Sequence, residues 1–273
     1  MMKSSLMVSV QTWLQRWQQR FFSVTPIPDG LWQSTLAHYG FLAARPVNDQ
    51  AALRAMAARF LAQKQFSGAH GLQVTDAMAV AIAAQACLPV LHMGLHSNLR
   101  LYDDFKGIVV HPGAMLARRT SVDSAGVLHH YSEALLGEAM QGGPIALSWA
   151  DVAASGASAA HGHNVVIHEF IHKIDMRTGS ANGCPPLPSR AAAVQWQHTM
   201  QAAFQDFSER VSMAERFGAE PPWLDAYGAT SPAEFFAVAA EAYFVNPERF
   251  TQECAVLKPL FDGFFMPNNA VAQ

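Results

Sequence analysis

The chain has 273 residues, 51% of them apolar and only 14% charged, which is ample material for one large hydrophobic core with or without a smaller cap. A formal net charge of −3 and the lack of any basic run exclude direct nucleic-acid binding as the main activity, Arg118-Arg119 being too small a cluster to count. No window reaches the roughly 18 uninterrupted apolar residues of a spanning helix, so no membrane insertion is expected.

The first segment, Met1 to Phe22, carries Lys3, Arg16 and Arg20, but Gln11, Gln15, Gln18 and Gln19 interrupt its apolar residues. It therefore lacks the continuous apolar stretch of a secretory leader. Trp13, Leu14 and Trp17 recur at helical spacing, so residues 1–25 are expected to form an extension whose helix docks on the body of the protein or on a membrane surface. Residues 26–273 are expected to form a single domain. Helices are predicted over residues 29–39, 49–65 and 75–87, the last almost entirely Ala, Val, Ile and Met and hence a core helix. Short β-prone runs follow at 107–111, 127–131 and 144–149, punctuated by Pro112-Gly113 and Gly142-Gly143-Pro144. Connections that short predict antiparallel pairing. The small-residue stretch Ala153 to Ala160 reads as a flexible loop, and Thr178 to Pro188, rich in Gly and Pro, as a second loop that either borders a cleft or forms a plain surface turn.

Between those loops lies His168-Glu169-Phe170-Ile171-His172. Two imidazoles four residues apart share one side of an α-helix and can aim nitrogens at one metal ion, while Glu169 points to a neighbouring angle, free to take a proton from water. Chance placement of such a pattern in a chain of this composition comes to about 2%, so the pattern points to chemistry rather than accident. Its context agrees: Val165, Val166, Ile167, Phe170, Ile171 and Ile174 interleave with it, Asn164 is a cap and Gly179 a stop, giving a largely buried helix over 163–175. Three polar side chains buried among Val, Ile and Phe are costly unless something binds them.

A catalytic zinc site uses three protein ligands, so a third is required downstream. Ser231, Pro232 and Glu234 read as an N-cap, a first-turn proline and a capping-box glutamate, opening a helix that ends near Asn246-Pro247. Capping alone accounts for Glu234 as well as metal binding does. Glu241 lies seven residues on, on about the same face of an otherwise apolar helix, so one of the two carboxylates can ligate while the other orients a histidine. Asp175 is another candidate for receiving the free ring N–H of a ligating histidine, or else a helix-end charge. His129, His130, His161 and His163 read as structural or surface groups; His163, five residues before His168, sits on the wrong face of a continuous helix to complete the site. Cys87, Cys184 and Cys254 are odd in number, widely spaced and without a CxxC pair, which indicates neither a disulfide framework nor a cysteine zinc knuckle and favours a reducing, cytoplasmic setting.

The strings Asn164-Val165-Val166-Ile167-His168-Glu169-Phe170-Ile171-His172-Lys173-Ile174-Asp175 and Asp225-Ala226-Tyr227-Gly228-Ala229-Thr230-Ser231-Pro232-Ala233-Glu234 resemble the two signatures of the Mlc titration factor A family, zinc peptidases whose catalytic core is related to the anthrax lethal factor protease. Pro144-Ile145-Ala146-Leu147-Ser148-Trp149 and Cys87-Leu88-Pro89-Val90-Leu91 are also similar to that family, so the likeness spans most of the chain. The resemblance implies an α+β, mainly helical zincin-like fold with a small, mostly antiparallel sheet beside the metal helix. It implies one Zn2+ per chain held by His168, His172 and Glu234, with Glu169 as general base and Tyr227 as donor to the transition-state oxyanion. The order of residues 144–149 before the metal helix resembles the zincin arrangement in which an edge strand pairs with extended substrate.

Two function classes follow. One is a zinc-dependent peptidase, aminopeptidase-like on short substrates, with a regulatory role through binding a Mlc-type glucose-uptake repressor. The other is a non-catalytic binding protein that sequesters such a transcriptional repressor, for which Glu169 and Tyr227 would be superfluous.

Overall fold

The computed structural model describes residues 24–93, 98–122 and 128–267, with the backbone alone for residues 116–122 and 128–135. The docked helix expected within residues 1–25 falls, but for its last two residues, outside this range.

Three helices open the described chain: α1 (Asp29–His38), α2 (Gly40–Ala43) and α3 (Val47–Gln63). A short strand, β1 (Gln65–Gly68), leads to α4 (Asp76–Cys87), which starts where the Thr75 hydroxyl accepts from the backbone N–H of Met78 at 3.3 Å. α4 is buried from Val80 to Cys87, as its near-continuous Ala, Val and Ile content requires. Gln85 on α4 is fully buried and has its amide satisfied by Ala81 O and by Asn164.

Five more strands follow: β2 (Gly107–His111), β3 (Met115–Val122), β4 (Leu128–Leu135), β5 (Gly137–Ala139) and β6 (Ile145–Ser148). They do not form the mostly antiparallel sheet expected from the sequence. The main sheet has the order β1-β2-β6-β5 and is mixed: β1 runs parallel to β2 and β2 to β6, and only β5 pairs antiparallel with β6. The physical reason lies in the connections. The tight Pro112-Gly113 turn leads into β3, which pairs with β4 as a separate antiparallel ribbon. After that excursion and the β5–β6 turn the chain re-enters beside β2 in the same direction, as it does from β1 to β2 by way of α4. The run 144–149, expected to serve as the edge, lies inside the sheet as β6; the edge beside the metal helix is β5.

The stretch predicted as a flexible loop is also corrected. It is helix α5 (Trp149–Ser158), continued by a 3-10 turn over Ala159–His161. Ser148 caps α5, and the hydroxyls of Ser155 and Ser158 bond back to Asp151 O and Ala154 O, so small polar residues lie along the helix without loosening it. Gly156 is where α1 comes closest: a Cβ there would meet His38 O at 2.3 Å. Small side chains here serve close packing, which composition alone cannot distinguish from flexibility.

Then come α6 (Val165–Asp175), the long α7 (Arg190–Phe217), α8 (Pro232–Val245), α9 (Pro247–Glu253) and α10 (Lys258–Phe265). α6 and α8 are buried along nearly their whole length and pack on each other, while β5 lies against another side of α6. Phe170 of α6 meets Tyr102 edge-on at 4.9 Å and Phe60 at 5.6 Å. Behind α8, Trp196 of α7 stacks on Phe261 of α10 at 5.8 Å with Phe236 edge-on to both. Each such ring withdraws enough apolar surface from water to contribute about 1.5–3 kcal/mol. The result is a stiff mount for α6 and α8. Among the described residues no helix is long and apolar enough to cross a membrane.

Candidate metal centre

The α6 start is fixed by one residue acting three ways. The Asn164 carboxamide oxygen accepts from Ile167 N at 2.9 Å, its NH2 donates to Gln85 Oε1 at 2.8 Å, and its backbone N–H donates to Glu241 Oε2 at 2.5 Å. The predicted cap is therefore also a junction between α4, α6 and α8. From there His168 and His172 face α8 one turn apart, their Nε2 atoms 3.1 Å from each other. Both converge on Glu234 Oε2, at 2.9 Å from His168 and 3.2 Å from His172. The Ser231 hydroxyl accepts from Glu234 N at 3.2 Å, so the cap forms, but the Glu234 carboxylate turns to the histidines.

The two α8 carboxylates, indistinguishable by periodicity, take opposite ends of one ring. Glu241 Oε1 accepts from His168 Nδ1 at 2.6 Å while Glu234 faces Nε2. With Glu241 on Nδ1, the Nε2 side of His168 is left to face Glu234 Oε2 and His172 Nε2, so two imidazole nitrogens and one carboxylate oxygen crowd together. Such a cluster can hold a cation. Tetrahedral zinc ligands at about 2.0–2.1 Å lie roughly 3.3 Å apart, so the observed 2.9–3.2 Å triangle and its N, N, O donor set fit a zinc-type ion. His168, His172 and Glu234 are the described residues that could hold such an ion.

The electrostatics carry the same message. Burial opposes charge on His168, yet Glu241, Glu234 and Glu169 together hold its pKa well above the ordinary imidazole value. Burial would raise Glu234, but the hydrogen bonds and charges of both histidines outweigh it and keep this carboxyl far below its usual range. Glu169, 5% exposed, shows the reverse balance: burial pushes its pKa up, against the pull of His168 and His172.

Glu169 faces the edge strand. A Cβ on Gly137 of β5 would come within 2.5 Å of Glu169 Oε1, so only glycine lets the strand lie this close. Both residues line a cleft of about 500 Å3 together with His168, Asp225 and Tyr227. Tyr227 sits in a 3-10 turn over Ala226–Thr230, 42% exposed, its ring 6.1 Å from that of His168.

Asp175 does not back a histidine; its carboxylate accepts the N–H groups of Asn182, Gly183 and Cys184 at 2.8, 2.7 and 3.1 Å and pins the loop after α6. His172 Nδ1 is buried and has no hydrogen-bond partner among the described residues. His163 lies in the cleft, where its Nδ1 is 3.3 Å from Asp225 Oδ2, while Asp225 Oδ1 accepts from Tyr227 N at 2.9 Å. Asp225 raises the pKa of His163, and His163 lowers that of Asp225. The pair ties the Tyr227 turn to the approach of α6, and no local pattern announces it. His161 is exposed, and the side chains of His129 and His130 lie outside those described. Residues 178–188 do not line this cleft; Pro186, Leu187 and Pro188 line a separate one beside Trp196 and Phe264.

Comparison with known proteins agrees with the geometry. Residues 13–266 match the family model described as glucose-regulated metallo-peptidase M90. The Mlc titration factor A of Salmonella arizonae is 34% identical over 251 residues, covering 92% of this chain and 96% of the relative. That of Salmonella gallinarum is 33% identical over 251 residues, covering 92% and 91%. The chain therefore belongs to the Mlc titration factor A family of M90 metallo-peptidases.

Proposed function

We propose that this protein is a cytoplasmic zinc-dependent peptidase, aminopeptidase-like on short substrates, with one Zn2+ per chain held by His168, His172 and Glu234. The observation that carries the proposal is the convergence of atoms from His168, His172 and Glu234 on one point, with His168 and the buried Glu169 both lining the same cleft. Zinc held there supplies Lewis-acid chemistry, acidifying water and polarising a carbonyl. Glu169 takes the proton of the attacking water and passes it to the leaving amine. Tyr227 donates its phenol to the developing oxyanion, and Glu241 holds His168 in the tautomer that leaves Nε2 free. No cysteine or serine nucleophile is needed. Cys87, Cys184 and Cys254 are all free thiols, which supports a reducing compartment.

The backbone of β5 supports a polyamide substrate. Leu136 O accepts from Ser148 N and Met140 N donates to Pro144 O, so by alternation the backbone groups of Gly137 and Ala139 face away from β6, along the open edge beside Glu169.

The name of the relatives supports a second function, more directly than it supports hydrolysis: they are called titration factors of Mlc. On that basis the chain binds a Mlc-type transcriptional repressor and sequesters it, with or without cleavage. Glu169→Ala separates the two. Amide hydrolysis is expected to disappear while zinc stays bound and repressor binding survives; persistent hydrolysis contradicts the assignment of the base, and a zinc-loaded wild type inert toward a panel of amino-acid amides and peptides leaves sequestration as the function.

A further inference from the structure

Lys173 follows the second histidine and has no solvent-exposed surface. A buried ammonium needs partners for its charge and its three N–H groups. Two of those partners are backbone carbonyls of the turn between β5 and β6: Nζ donates to Met140 O at 2.5 Å and to Gly143 O at 2.7 Å. Asp104 stands at 3.7 Å and the Phe105 ring at 4.6 Å. Glu169 is four residues earlier, so one turn of α6 meets both ends of the edge strand, with Glu169 against Gly137 and Lys173 on the turn after Ala139. The strand itself is three residues long and terminates the sheet, and Leu136 and Met140 at its two ends are about half exposed, at 49% and 53%. So short an edge has little intrinsic rigidity, and the lysine supplies what the sheet does not.

We propose that Lys173 is a positioning residue: it fixes the β5 edge against Glu169 and so sets how the backbone of an extended peptide is held beside the candidate metal centre. The proposal rests on the peptidase function proposed above. It assigns Lys173 no contact with substrate or metal. Substrates that reach along β5 depend on it, and single-residue amides, which end at the metal centre, do not.

The test uses the full-length zinc-loaded protein as wild type, Lys173→Met and Lys173→Arg, with a single-residue chromogenic amide and a chromogenic peptide of five residues as substrates. In Lys173→Met, kcat/KM on the peptide is expected to fall by about tenfold to a hundredfold, the scale of a misplaced binding element, mostly through KM. The amide is expected to change less than about threefold, and Lys173→Arg to show the same bias at smaller size. Hydrogen exchange of the backbone amides of Glu138 and Met140, the two that face β6, measured without substrate, is expected to quicken in both variants. Equal loss on both substrates, or wild-type exchange at Glu138 and Met140, overturns the proposal. If Lys173→Met does not fold, Lys173→Arg carries both arms. If wild type cleaves neither substrate, the peptidase function fails, while the exchange arm still decides whether Lys173 holds β5.

Discussion

The helix pair α6–α8 and the ribbon β5–β6 meet at the same cleft but are held by different means. On the helical side, side chains bind side chains: Glu234 joins both histidines, and Glu241 reaches His168 and the backbone of Asn164. On the sheet side, α6 meets backbone, with Glu169 close upon Gly137 and Lys173 on two turn carbonyls. The difference separates two tasks. Groups that would grip an ion are fixed by charge and hydrogen bonding, whereas the groups that would align a peptide are fixed by how near a strand can come.

That contrast can be broken first on the helical side. Glu234→Gln removes the anionic oxygen on which both imidazoles converge, and zinc retention and hydrolysis are both expected to be lost, as read by metal analysis after dialysis and by amide turnover. Glu241→Gln leaves the three facing atoms in place but weakens the acceptor that fixes the His168 tautomer. Zinc affinity is expected to drop about tenfold to a hundredfold, measured by competition with a chromogenic chelator.

Gly137→Ala sharpens the contrast from the other side. Its methyl would displace the Glu169 carboxylate or push β5 outward, so kcat is expected to fall by about tenfold or more with zinc affinity unchanged. A parallel loss of zinc would show that the two sides are not separable.

The smallest effect is expected at the His163–Asp225 tie. His163 has a raised pKa, so its contribution is complete below the ordinary imidazole value and is lost as pH rises through the raised one. Asp225 has a lowered pKa, so its contribution is present above the ordinary carboxylate value and is lost as pH falls through the lowered one. The stability difference between wild type and His163→Ala should therefore peak at mildly acidic pH and shrink toward both sides. Both side chains are 41% exposed, and solvent screening limits the difference to about 0–1 kcal/mol in urea denaturation.

The helical side was legible in the sequence because its signals are local. His168 and His172 at four-residue spacing, Asn164 as cap and Ser231-Pro232 as a helix start all lie where expected. The choice between Glu234 and Glu241 was open to periodicity because seven residues is two turns; it took the two nitrogens of one imidazole, pointing opposite ways, to separate them. The sheet side was misread because its determinants are distant. Gly137-Glu138-Ala139 carries no β signal, Gln65 reads as the last residue of a helix, and parallel pairing depends on where the chain returns. Helix α7 was not among the expected elements, although Trp196, Met200, Phe207 and Val211 recur on one side of it at spacings of four and seven. His163 and Asp225 lie far apart in sequence and become partners only through the fold.

The most direct test of the centre is its metal content. Wild-type protein purified without chelator and dialysed exhaustively is expected to carry about one zinc per chain, and His168→Ala and Glu234→Gln prepared alongside are expected to carry essentially none. Zinc retained equally by all three proteins, or by none even after reconstitution with excess zinc, contradicts the claim that these side chains form a metal centre.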